Sequence, residues 1–101
     1  MNNRHCFKLV ILVVITVLGC ASIPTQEMSD ARQAVQAARD SGAEVYATEE
    51  LNQAVELLNK AKNALEEDAY EQARSDAVAA KQAAVKARSK SLDKKPLQLN
   101  P

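Results

Sequence analysis

Two apolar seams in the second half of the chain constrain its fold more than any other feature. Leu51, Ala54, Leu58, Ala61 and Leu65 follow one another at alternating spacings of three and four residues. That recurrence lines side chains along one face of an α-helix, whereas a half-buried strand would alternate with a period of two. Tyr70, Ala73, Ala77, Ala80, Ala84 and Ala87 then repeat the same alternation. The fold class that follows is all-α. Ala removes much less apolar area from water than Leu, so a core built on these seams is energetically thin. Small residues also let helix backbones approach closely. A Leu-bearing helix facing an Ala-bearing one is therefore complementary, because large side chains fill the space that small ones leave.

The rest of the helical region follows from caps and breaks. Ala31, Ala34, Val35 and Ala38 recur at helical spacing, predicting a shorter first helix with Ser29 as its N-cap and Asp30 at the positive end of its dipole. Gly42 is expected to end it, since glycine enters the left-handed conformation without Cβ strain. Ala43–Ala47 reads as a connector, Thr48 as the cap of the second helix, and Glu49 and Glu50 as its acidic first turn. Glu66-Glu67-Asp68 interrupts the apolar pattern, and Asp68 with Glu71 resembles a capping box opening a third helix. That helix should fade around Ser89–Ser91, and Pro96 ends any continuation. The expected architecture is a short three-helix bundle or helical hairpin. One long helix from Leu51 to Ser89 stays open, because neither Gly nor Pro lies between Leu65 and Tyr70. A reversal is favoured, because a lone helix would leave its apolar stripe wet.

The N-terminus has a different character. Arg4 and Lys8 precede an apolar run, Leu9–Leu18, that gives way to Gly19, Cys20, Ala21 and Ser22. A spanning helix needs roughly 20 apolar residues to cross about 30 Å of hydrocarbon. A basic head, a short apolar core and a small residue before the cut describe a secretory signal peptide instead. With a cysteine directly after Gly19, the stretch resembles a bacterial lipoprotein signal. That resemblance implies that Cys20 receives a diacylglycerol and becomes the mature N-terminus. It also implies a place on the periplasmic side of the cell envelope, with the outer membrane favoured because Ala21 rather than Asp follows Cys20. Val17 and Leu18 depart from the usual Leu–small–Gly–Cys box. The chain then divides into a signal peptide (1–19), the lipidated cysteine with a tether (20–28), an alanine-rich helical domain (29–91) and a flexible tail (92–101).

Composition narrows the chemistry. Cleavage before Cys20 removes Cys6, His5 and Phe7, leaving no His, Trp, Phe or free thiol, and only Tyr46 and Tyr70 as aromatics. His- and Cys-based nucleophilic catalysis and the usual transition-metal ligand sets are thereby excluded, and no cofactor is expected. Glu49-Glu50 and Glu66-Glu67-Asp68 lack the spacing and glycine of a calcium loop, and their positions at helix starts give them a structural role. Lys81, Lys86, Arg88, Lys90, Lys94 and Lys95 form a basic stretch suited to weak contact with anionic lipid or peptidoglycan, or to solubilising a helix end. Nucleic acid is not an expected partner of a slightly acidic, exported chain.

Ala31, Val35, Ala38-Arg39 and Gly42-Ala43, then Leu51, Ala54, Leu58 and Ala61, then Asp68-Ala69-Tyr70-Glu71 with Ala73, Ala77 and Ala80 form a pattern extending from Ala31 to Arg88. It resembles small bacterial lipoproteins with an alanine-rich helical domain of unknown function, a family sometimes found ahead of OmpA-like domains. The resemblance implies a lipid-anchored envelope protein. Two roles are expected from different classes. One is a non-catalytic helical interaction module that docks an envelope partner. The other is a structural alanine-zipper lipoprotein that oligomerises and supports the outer membrane or its connection to the cell wall. An enzyme is not expected.

Overall fold

The computed structural model describes residues 22–96. Four α-helices and no strand occur among them: α1 (Thr25–Asp40), α2 (Ala43–Tyr46), α3 (Thr48–Glu66) and α4 (Tyr70–Lys94). The all-α expectation stands. Helix α4 is the central element, packing along both α3 and α1, which touch each other far less. Ion pairs fix the directions. Glu27 near the start of α1 meets Arg74 near the start of α4, so those two helices run parallel. Glu50 at the start of α3 meets Lys90 near the end of α4, so that pair runs antiparallel.

Two reversals create this up-down-up order. At the first, Ser41 N–H donates to the carbonyls of Ala37 and Ala38, and Gly42 N–H to that of Arg39. Gly42 has φ +91°, and a Cβ there would meet the Tyr46 ring at 3.2 Å, so the turn requires glycine on both counts. At the second, Asp68 N–H donates to the Leu65 carbonyl and Ala69 N–H to that of Ala64. This is the paired bonding of a Schellman motif, which satisfies carbonyls that a helix end would otherwise leave open. Asp68 occupies its left-handed position with φ 59°. The reversal between Leu65 and Tyr70 therefore exists, and a single long helix does not.

Several local expectations are corrected. Helix α1 begins at Thr25 behind Pro24 rather than at a Ser29 cap, and it carries Met28 into the core at 2 % exposure. Residues 25–28 thus belong to the helix, not to a tether. The Ala43–Ala47 connector contains the single turn α2. Thr48 does not cap α3; its hydroxyl donates to the Glu44 carbonyl, linking α2 to α3. Asp68 makes no capping box, since α4 has no side-chain cap bond. Its left-handed backbone instead closes α3. Helix α4 continues past Ser91 to Lys94, because Ser91 is buried and its hydroxyl donates to the Ala87 carbonyl.

The core runs the length of this arrangement. Met28, Ala31, Val35 and Ala38 from α1, with Leu51, Ala54, Leu58 and Ala61 from α3, enclose Ala77, Ala80, Ala84 and Ala87 of α4. Ala43 and Ala47 join them at the first reversal. Most of these are alanines, so stability comes from close backbone approach with many weak contacts rather than from large buried side chains.

Candidate interaction surface

The sequence seams and the observed burial agree along most of their length. Leu51, Ala54, Leu58 and Ala61 are buried on α3, while Ala73, Ala77, Ala80 and Ala84 are wholly buried on α4. The exceptions lie at the turn. Leu65 and Tyr70 are half-buried, and Ala64 takes the buried position at the end of α3. The Tyr70 hydroxyl donates to Asp68 Oδ1 at 3.2 Å, so Tyr70 closes the turn rather than extending the seam. The adjacent Asp68 carboxylate raises the Tyr70 pKa, first through its charge and then through this hydrogen bond. Cys20, the expected lipid attachment point, lies outside the described residues.

Helix α4 also carries a second apolar line, which the sequence reading did not single out beyond Val78 and Val85 as flanks of the seam. Val78, Val85 and Leu92 recur every seven residues and are 41 %, 53 % and 52 % exposed. At 3.6 residues per turn this line sits about 120° around the helix from the alanine seam. It borders a groove of about 380 Å³ between α1 and α4, whose lining includes Glu27, Asp30, Val78, Lys81 and Val85. Further along, a shallower depression continues past Val85 with Lys86, Lys94 and Asp93 on its margin. Lys81 and Lys86 form no ion pair among the described residues. The surface is therefore an apolar line with a charged margin, acidic on the α1 side at Glu27 and Asp30 and carrying Lys81, Lys86 and Lys94 along α4.

Lys90 is used differently from its basic neighbours. Its ammonium donates to Glu50 Oε1 at 2.7 Å, across the α3–α4 contact. The Lys90 hydrogen bond is the main cause of a lowered Glu50 pKa, and the Glu50 hydrogen bond the main cause of a raised Lys90 pKa. Glu50 Oε2 is buried without a hydrogen-bond partner. Arg74 forms a second cluster at the opposite end of α4. It pairs with Glu27 at 3.3 Å and with Glu71 at 2.6 Å, and it donates to the Ser22 carbonyl at 2.9 Å. Sequence reasoning missed both clusters, because apart from the Glu71–Arg74 pair their partners lie 40 to 52 residues apart.

Among the described residues, no group of three or more His, Cys, Asp or Glu is placed to hold a metal ion, and no helix is long and apolar enough to cross a membrane. The fold defines a class of small helical domain in which an alanine-rich central helix packs two shorter ones. Residues 26–96 match the family model described as Domain of unknown function (DUF4398), and the chain belongs to that family. No curated protein and no solved structure matches the chain.

Proposed function

We propose that this chain is a lipid-anchored lipoprotein of the bacterial cell envelope whose helical domain is a non-catalytic interaction module. The anchor reading rests on the run from Arg4 to Cys20, with Cys20 as the lipidated residue and Ala21 favouring the outer membrane. The observation that carries the module reading is the division of labour on α4. The alanine face is covered within the chain, while Val78, Val85 and Leu92 are left in water. Exposed apolar residues in register along one helix suit an amphipathic partner helix. Lys81, Lys86 and Lys94 beside them favour acidic flanks on that partner.

The structural alternative, an alanine zipper that oligomerises, draws less support. Such a zipper would use Ala73, Ala77, Ala80 and Ala84 between chains, and all four are already buried within one chain. The test places a photo-crosslinking residue at position 85 or, as a control, at exposed position 56 in the full chain expressed in a bacterial envelope. Position 85 should give one discrete adduct whose mass is not a multiple of that of the processed, lipidated chain, and position 56 should not. Adducts at multiples of the chain mass would favour the zipper. Fatty-acid labelling that persists in Cys20→Ser would contradict the anchor.

A further inference from the structure

The start of α1 is fastened to the start of α4. Arg74, with its side chain 27 % exposed, holds three groups at once. Nη2 donates to the Ser22 carbonyl at 2.9 Å, Nε to Glu27 Oε1 at 3.3 Å and Nη1 to Glu71 Oε1 at 2.6 Å. Pro24 is buried behind this contact, and Thr25 N–H turns back to the Ile23 carbonyl at 2.8 Å. Ser22 consequently sits beside Asp68, Tyr70 and Glu71 at the α3–α4 turn. Cys20 precedes Ser22 by two residues, a reach of about 7 Å for extended chain. A nine-residue tether, by contrast, would let the domain swing freely.

We infer that Arg74 is a clamp that fixes the orientation of the domain on its membrane, with the α3–α4 turn facing the bilayer and the far end of α4 directed away. This rests on the lipid-anchor reading above. The 24-residue rise from Tyr70 to Lys94 spans about 36 Å. Lys86, Lys94 and Lys95 then stand several screening lengths from the anchoring leaflet, since charge interactions decay over about 8 Å at physiological salt. The turn carries the opposite charge in Glu66, Glu67, Asp68 and Glu71. The basic, apolar side of α4 therefore addresses a partner beyond the anchoring membrane and not that membrane's own headgroups.

The test uses the lipidated full chain in phosphatidylcholine vesicles with a minor share of phosphatidylglycerol. Its mature form has no cysteine besides Cys20, so Glu67→Cys or Asp93→Cys takes a single fluorophore. A headgroup-attached quencher should act on position 67 at least about fivefold more strongly than on position 93, because position 67 lies at the turn before α4 and position 93 stands about 35 Å along α4 from its start. Arg74→Gln should reduce that ratio by at least about twofold, with circular dichroism unchanged, because Ser22 and Ile23 are then freed to lengthen the linker. Equal quenching in the unsubstituted background, or an undiminished difference in Arg74→Gln, overturns the clamp. Mass spectrometry separates the two readings. Absence of lipid on Cys20 overturns the anchor and this inference together, whereas lipid present with equal quenching overturns this inference alone.

Discussion

At the scale of single residues, the two left-handed positions bear differently on stability. Gly42 is matched to its φ of +91°, and a side chain there would crowd Tyr46. Gly42→Ala should cost about 1–2 kcal/mol, measured by thermal or urea unfolding. Asp68 occupies the same kind of site without glycine's freedom. Asp68→Gly should stabilise by about 0.5–1 kcal/mol, because the Tyr70 hydrogen bond it removes is exposed and worth little. The Glu50–Lys90 pair gives a pH prediction. The folded-state pKa of Glu50 lies below its ordinary value of 4.5, so its contribution is present above 4.5 and lost as pH falls through the lowered value. Lys90 is raised above 10.5, so its contribution holds below 10.5 and is lost as pH rises through the raised value. Glu50→Gln should therefore flatten the acid limb of a melting-temperature profile. An unchanged limb would show that the pair is not formed in solution.

At the scale of elements, size complementarity between α3 and α4 governs packing. Leu58, buried on α3, belongs to a core whose α4 members are alanines, too small to fill the space it would leave. Leu58→Ala should cost about 2–4 kcal/mol. The reverse change, Ala80→Leu, inserts volume where helix backbones approach closely, and should destabilise by about 1–3 kcal/mol despite adding apolar area. Equilibrium unfolding of both variants checks the pair of signs. A stabilising Ala80→Leu would mean that the seam is loose. These elements were legible in sequence because the three–four alternation reports helix faces directly, and Gly42 marked the first reversal through its backbone chemistry. The start of α1 was not legible. Pro24 suggested a tether, yet its ring is buried and Met28 is carried inward, a choice made by tertiary contact with α4. The second reversal was signalled by the break in the apolar pattern at Glu66-Glu67-Asp68, but its chemistry was not, since a left-handed Asp68 closes α3 where a capping box was expected. The surface stripe was visible only in part, because Val78 and Val85 sit close to seam positions in sequence. Only the burial of the alanines separates the two faces.

At the scale of the whole molecule, stability depends on where the alanine seam finds its cover. Domains this small are marginal when the core is thin, and a chain of this kind has two routes to sufficient burial. It can fold on itself, leaving another face for a partner, or it can pair seams between copies. Here α1 supplies the third side that a bare hairpin would lack, and Ala73, Ala77, Ala80, Ala84 and Ala87 reach 0 % exposure within one chain. The most direct test is sedimentation equilibrium on residues 20–101 carrying Cys20→Ser, with circular dichroism on the same sample. The predicted result is a single, strongly helical species at the monomer mass, unchanged on dilution. A discrete dimer or trimer whose helical signal falls as it dissociates would contradict the account, because it would mean that the seam is completed only between chains.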